Sequence, residues 1–312
     1  MTGVAGFIGS ALAERLLAEG HSVRGIDRLS PYYPIALKRR NLERLLGYPG
    51  FEFVEEDIAT CDLKCLTDDI DAVFHLAAQP GVRVSWGKQF GDYLHDNLLT
   101  TQCLLEAVKE LPIRRFVYAS SSSVYGDATV LPVTEDAPLC PRSPYGVTKV
   151  AVESICGAFH AQFGVPTVGL RYFTVFGPGQ RPDMAFNRFI DLALRGERLT
   201  VFGDGSQRRD FTYVDDAVAA TLQAGFSGVP GGIYNIAGGA QASVADVLGM
   251  LPQLLDVEVR VDHLDAVPGD VKETFADWSR ARSDLGYRAE TSLREGLTRQ
   301  VSWQRAAAAQ PA

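Results

Sequence analysis

The sequence predicts an α/β fold built on a doubly wound parallel sheet, followed by a smaller mixed α/β C-terminal lobe. Three observations carry this prediction. A glycine-rich turn opens an amphipathic helix at the start of the chain, strand-like runs alternate with helix-length segments up to Gly177-Pro178, and beyond that point the alternation becomes irregular. In the opening run, Gly3, Gly6 and Gly9 lead into a stretch where Phe7, Ile8, Leu12, Leu16 and Leu17 recur at helical spacing, and Gly20 closes the helix. A turn without side chains lets the backbone approach a pyrophosphate, whose charge is met by free N–H groups and the positive end of the helix dipole.

The next element is a short strand from Ser22 to Asp27, ending in an acid about twenty residues after the turn. The Asp27 carboxylate at that offset can accept both hydroxyls of an adenosine ribose, which favours NAD over NADP. Arg28 offers a partner for a 2′-phosphate, but the adjoining carboxylate would repel that phosphate. Further β-branched or aromatic runs follow at 51–57, 71–77, 114–121 and 166–173, separated by helix-length segments such as 95–110 and 143–164. After Gly177-Pro178, helices are expected near 184–195, 243–254 and 291–306 with short strands between them. Residues 1–177 therefore read as a dinucleotide-binding Rossmann domain, to which segments near 210–238 return, while 178–209 and 239–306 form the second lobe and 307–312 a frayed tail. Only Met1 and Thr2 precede the glycine turn, where a parallel sheet of this kind requires an apolar central strand, so the first strand is expected to be truncated.

Composition bounds the function. With 312 residues, 46% of them hydrophobic, the chain can bury a large core. The net charge of −8 and pI near 5.2 argue against binding a nucleic-acid backbone, which needs a basic excess. Cys61, Cys65, Cys103, Cys140 and Cys156 show neither paired C-x-x-C spacing nor suitably placed histidines, so no metal is expected and reduced thiols in a cytosolic protein are the reading. No apolar stretch reaches membrane-spanning length, and no signal peptide or internal repeat is recognisable.

The chemistry concentrates in two segments. Ser143-Pro144 is a helix start with proline at the first position, which places Tyr145 and Lys149 four residues apart on one face. A lysine ammonium beside an oxidised nicotinamide favours the phenolate and makes the tyrosine a usable base for an alcohol proton. Y-x-x-x-K also occurs on ordinary helices as a buried Tyr and a snorkelling Lys. Upstream, the serines of YASSSSVYGD continue an apolar strand to its carboxyl end, where open α/β sheets place their ligands.

With these residues in place, the segments TGVAGFIGS, FHLAAQPGVR, SSSSVYGD, SPYGVTK, LRYFTVFGPGQRPDMAF, GDGSQRRDFTYVDD and PGDV together resemble the extended short-chain dehydrogenase/reductase family of nucleotide-sugar epimerases and dehydratases, from Gly3 to about Leu297. The resemblance implies a tightly held NAD, a UDP- or dTDP-sugar, Ser121, Tyr145 and Lys149 as the catalytic trio, and a homodimer. It also implies adenine contacts at Asp57 and Ile58, cofactor-side loops at His75, Leu76, Ala77, Ala78 and Asn97, and Tyr172 beside the nicotinamide. On the substrate side it implies Arg83, and Arg209 and Asp270 holding the nucleotide diphosphate and its ribose.

Dehydratases of the family carry an Asp-Glu pair at the positions of Ser122 and Ser123, and its glucuronate decarboxylases carry a glutamate at Ser123. Serines cannot perform that proton transfer at neutral pH. Epimerisation needs only a base, a hydride acceptor and room to turn the keto sugar. The segment from Arg171 through Thr174 and Arg181 to Phe186 resembles that of UDP-glucuronate 4-epimerases. A uronic acid brings a carboxylate that hydroxyls at Ser122, Ser123 and Thr174 and the Arg181 guanidinium can satisfy. Arg181 has a second reading, in which it pairs with Asp183 or caps the following helix. UDP-glucose 4-epimerase and UDP-glucuronate decarboxylase remain open as alternatives, as does a non-catalytic NAD-responsive binding protein, though such proteins typically lose the Tyr or Lys.

Overall fold

The computed structural model describes residues 1–265 and 271–308. In chain order its elements are α1 (Phe7–Ala18), β1 (Val23–Ile26), α2 (Ile35–Leu45), β2 (Phe51–Val54), α3 (Leu63–Thr67), β3 (Ala72–His75), α4 (Phe90–Tyr93), α5 (Thr100–Val108), β4 (Arg115–Ser121), α6 (Pro144–Phe163), β5 (Thr167–Tyr172) and β6 (Val175–Phe176). There follow α7 (Ala185–Leu194), β7 (Leu199–Phe202), β8 (Arg208–Asp210), β9 (Thr212–Tyr213), α8 (Val214–Ser227), β10 (Ile233–Ile236), β11 (Gln241–Ser243), α9 (Val244–Leu255), β12 (Val261–Leu264), α10 (Ser279–Leu285) and α11 (Leu293–Ala308).

The main sheet is wholly parallel. β3, β4, β5 and β10 are hydrogen-bonded in the order β10-β5-β4-β3, and β1 pairs with β2. Thr2 joins the two groups, bridging Ile26 on one side and His75 on the other. Its N–H donates to the Phe74 carbonyl at 3.0 Å, while Gly3 N–H donates to the Ile26 carbonyl at 2.9 Å. Met1 to Gly3 thus hold the central position expected of a full strand, and they pair with the C-terminal ends of β1 and β3, where the glycine turn must be anchored. Thr2 Oγ1 also lies 2.8 Å from His75 Nδ1, and His75 Nε2 lies 3.0 Å from Thr101 Oγ1. Burial pushes His75 down to about 3, so it stays neutral beneath the turn.

Alternation along β4 builds two cores. Val117 packs with Leu12, Leu16, Ala217 and Ala220 of α1 and α8, whereas Phe116 and Tyr118 pack with Leu104, Leu105 and Val152 of α5 and α6. Helices therefore cover both faces, the doubly wound arrangement. Helix α8 has no clear apolar stripe in its sequence because it is buried on several sides against α1, β4 and β5. The segment expected to be one helix over 95–110 is instead α4, a π-helical stretch from Leu94 to Leu99, and α5. Its widened turn carries Asn97 inward, to 1% exposure.

Beyond β6 the strands are short. β7 pairs in parallel with β12, β8 pairs antiparallel with β11, and α7, α9 and α11 pack together. Residues 214–236 go back to the main sheet as α8 and β10. Ala307 and Ala308 continue α11, and the rest of the tail expected at 307–312 lies outside the described residues.

Candidate active site

A cleft of about 370 Å³ runs along the carboxyl ends of the parallel strands. At its centre stands the turn before α1. Gly3 has φ +71°, and a Cβ there would lie 2.7 Å from the Ala77 nitrogen; a Cβ on Gly9 would lie 2.1 Å from the Gly3 carbonyl oxygen. Only glycine allows this approach between turn, helix and β3. Gly6, the residue before α1, makes no side-chain cap, so the first-turn N–H groups of the helix face the cleft beside Phe7 and Ile8.

One end of the cleft suits an adenosine. Asp27 Oδ2 accepts from Ala5 N–H at 3.1 Å and Oδ1 from Leu29 N–H at 2.8 Å, which fixes the carboxylate at the cleft edge with lone pairs to spare. Asp57 and Ile58 line the same end. Arg28 places Nη2 2.8 Å from both carboxylate oxygens of Asp96 and Nε 3.7 Å from Asp57. Those acids neutralise it, which removes the most obvious anchor for a 2′-phosphate. A diphosphate at the α1 N-terminus, a ribose at Asp27 and a redox ring near Tyr145 fit the residues present, in the order a dinucleotide needs.

The other end holds the serine run and α6. Ser143 Oγ accepts from Gly146 N–H at 3.1 Å and Pro144 occupies the first turn, so α6 begins where Tyr145 points into the cleft. Tyr145 hydrogen-bonds to Ser121, and Ser121 Oγ accepts from Ser123 N–H at 3.2 Å. Lys149 is buried; its Nζ donates to the Ala119 carbonyl at 2.8 Å and stands 5.9 Å from the centroid of the Tyr145 ring. Burial lowers Lys149 to about 8. Burial also raises Tyr145, opposed by the Ser121 hydrogen bond and the Arg181 charge. In the protein alone desolvation outweighs both, and the lowering expected from Lys149 does not appear.

Most of the residues singled out from sequence meet here. Gly3, Gly6, Phe7, Ile8, Gly9, Asp27, Asp57, Ile58, Leu76, Ala77, Ala78, Ser121, Ser122, Ser123, Tyr145, Lys149, Tyr172, Thr174 and Arg181 all line the one cleft. Tyr172 presents its ring, because its hydroxyl is 2.6 Å from Thr221 Oγ1. His75 lies beneath the turn and not in the lining, and three further described residues are placed differently. Asn97 does not reach the cleft: its side chain accepts from Gln79 N–H at 2.7 Å and donates to Thr148 Oγ1 at 2.9 Å, bracing the wall from behind. Arg83 lies outside the cleft lining, with its guanidinium 4.4 Å from the Phe202 ring centroid. Arg209 lies outside it too and donates to the Lys272 carbonyl at 3.3 Å. Asp270 lies outside the described residues.

Arg181 fits its second sequence reading, the pair with Asp183, while its side chain also lines the cleft. It lines the sugar end of the cleft, and its Nε and Nη2 are each 3.0 Å from an oxygen of Asp183. Sequence reasoning missed Ser30, Tyr32, Tyr33 and Lys38, which complete the wall beyond Asp27, because no local pattern marks a loop that folds back over a ligand site. It also missed the pair beside Ser120 of β4, where Arg171 Nε and Nη2 meet Glu153 at 2.9 and 2.7 Å. Glu153 falls one turn after Lys149, the spacing that was available as a signal. Among the described residues no group of three or more His, Cys, Asp or Glu is placed to hold a metal ion.

Comparison with known proteins follows this geometry. The model of the NAD-dependent epimerase/dehydratase family matches residues 1–237. A Bacillus subtilis protein described as an uncharacterized UDP-glucose epimerase is 45% identical over 97% of this chain and 96% of its own. The UDP-glucuronate 4-epimerase of Thermodesulfobacterium geofontis is 38% identical over 97% of this chain and 94% of its own. The crystal structure of UDP-glucuronic acid 4-epimerase from Bacillus cereus, in complex with UDP-glucuronic acid and NAD, superposes with a TM-score of 0.96 at 45% identity, covering 98% of both chains.

Proposed function

Because the chain belongs to the NAD-dependent epimerase/dehydratase family, we propose that it interconverts UDP-glucuronate and UDP-galacturonate by epimerisation at C4 of the sugar. The observation that carries this reading is that Ser122, Ser123, Thr174 and Arg181 line the same cleft as Tyr145, and that positions 122 and 123 bear no acid. Hydroxyl and guanidinium donors satisfy a uronate carboxylate. An acid pair there would repel it.

Gly3 to Gly9 and Asp27 would hold NAD, which would supply the acceptor and donor of hydride for C4. Tyr145 takes the C4 hydroxyl proton and later returns it, from a position fixed by Ser121 and the start of α6. Lys149, held by the Ala119 carbonyl, supplies fixed positive charge near the phenol. Ser121 hydrogen-bonds to the Tyr145 oxygen and steers it toward the sugar. Thr174, Ser122, Ser123 and Arg181 bind the carboxylate in the bound orientations of the sugar before and after the 4-keto intermediate turns about its diphosphate. Arg83, Arg209 and Asp270 belong to the nucleotide half of the substrate site in this reading, within a lobe formed by 178–209 and 239–306.

The protein is further proposed to work in the cytoplasm as a homodimer. The described cysteines are unpaired and no described helix is long and apolar enough to cross a membrane. The neighbouring helical segments leave Leu94, Leu99 and Val147 exposed, an apolar face suited to a second copy. Sedimentation at micromolar concentration should give twice the chain mass, and a persistent monomer would remove the dimer from the account.

The substrate assignment is tested by initial rates on two sugars. With NAD present, kcat/KM for UDP-glucuronate should exceed that for UDP-glucose by about a hundredfold, the discrimination expected when a buried charged group loses its partner. Equal rates, or preference for UDP-glucose, would transfer the assignment to a neutral-sugar epimerase.

A further inference from the structure

The Arg181 guanidinium has five N–H donors in a plane. Asp183 occupies the edge formed by Nε and Nη2, at 3.0 Å to each carboxylate oxygen. A fork held at one edge has its plane fixed, and the Nη1–Nη2 edge remains for an incoming carboxylate. Asp183 is itself held from across the cleft. The Tyr32 hydroxyl donates to Asp183 Oδ2 at 3.3 Å, and the Arg181 guanidinium carbon stands 6.0 Å from the Tyr32 ring centroid. Tyr32 belongs to the loop that follows Asp27, so the contact ties the adenosine side of the cleft to the sugar side.

We propose that Asp183 is the positioning residue that sets which edge of Arg181 meets the substrate carboxylate, and that it thereby controls whether the keto intermediate is reduced or loses carbon dioxide. The inference rests on the uronate epimerase reading. In a 4-keto uronate the carboxylate is β to the ketone. If the C5–carboxylate bond lines up with the carbonyl π system it breaks, its electron pair forms the enolate between C5 and C4, carbon dioxide leaves, and C5 takes a proton from solvent; the 4-keto pentose then takes back at C4 the hydride removed in the oxidation, with a proton on its oxygen, to give UDP-pentose. A guanidinium of fixed plane, gripping both carboxylate oxygens, holds that bond out of line. A guanidinium free to rotate about its last torsions binds the same charge without fixing its direction.

The test compares wild type, Asp183→Asn and Asp183→Glu with NAD and UDP-glucuronate, reading products by proton NMR. Asp183→Asn keeps the size of the side chain and one acceptor but loses the charged two-oxygen grip. Its kcat should fall about tenfold with KM changed less than about threefold, and the ratio of UDP-pentose to UDP-galacturonate should rise about tenfold. Asp183→Glu, which keeps the carboxylate, should lie nearer wild type in that ratio. An unchanged product ratio in Asp183→Asn, with or without a loss of rate, overturns the proposal, since a merely structural role would slow the enzyme without redirecting it. A wild type that leaves UDP-glucuronate untouched would instead overturn the functional reading on which the proposal stands.

Discussion

Replacing Tyr145 with phenylalanine is expected to lower turnover of UDP-glucuronate by about a thousandfold, the scale of a lost general acid–base group, while NAD stays bound. The ring would keep its place, because it packs edge-on against Tyr93 with centroids 6.2 Å apart and sits in the first turn of a capped helix. What disappears is the oxygen that hydrogen-bonds to Ser121 and that carries the C4 proton in the proposed mechanism. Burial keeps this phenol above its ordinary pKa in the protein alone, with Ser121 and Arg181 pulling the other way. In the proposed mechanism, oxidised NAD held nearby would add positive charge to that of Lys149 and Arg181 at this end of the cleft, favouring the phenolate. Steady-state rates together with the NAD content of the purified variant check this expectation. Near-normal turnover would remove Tyr145 from its role, and loss of NAD would mean that the substitution acted through cofactor binding.

The second large effect is expected at Arg181. Truncation to alanine removes the one guanidinium at the sugar end of the cleft among the described lining residues and leaves the Asp183 carboxylate without its bidentate partner. Removing one member of a desolvated charge contact typically costs about 2–5 kcal/mol, so kcat/KM for UDP-glucuronate should fall by about a hundredfold or more. Any residual turnover should include pentose product, because the carboxylate is then held by hydroxyls alone. UDP-glucose, which has no carboxylate, should lose no comparable binding. Wild-type activity of Arg181→Ala on UDP-glucuronate would show that the arginine serves only Asp183 and the loop before α7.

The catalytic end of the cleft was readable in sequence because its parts are local. Proline after a capping serine starts α6, the four-residue interval stacks Tyr145 over Lys149, and the serines simply continue β4 past its buried stretch. The glycine turn was readable for the same reason. What stayed hidden depends on contacts between distant segments. Nothing near Tyr32 announces that it meets Asp183, 151 residues later. Asn97 carries a family resemblance to a cofactor-side position, yet a π-helical turn takes it behind the wall to brace Gln79. Helix α8 was overlooked because burial on several sides erases the amphipathic stripe by which a helix is recognised. The central sheet position also needed the structure, since two-sided pairing by Met1 to Gly3 lies in backbone hydrogen bonds that carry no side-chain signature.

UDP-glucuronate is proposed to be oxidised and reduced again at C4 within one site. This is tested most directly by giving the purified protein and NAD a UDP-glucuronate deuterated at C4, then following the mixture by proton NMR. The predicted result is a steady mixture with UDP-galacturonate that keeps its deuterium at C4, with no net consumption of NAD. An untouched uronate beside converted UDP-glucose, product that has lost the C4 deuterium, or a pentose nucleotide accumulating with carbon dioxide would each contradict it.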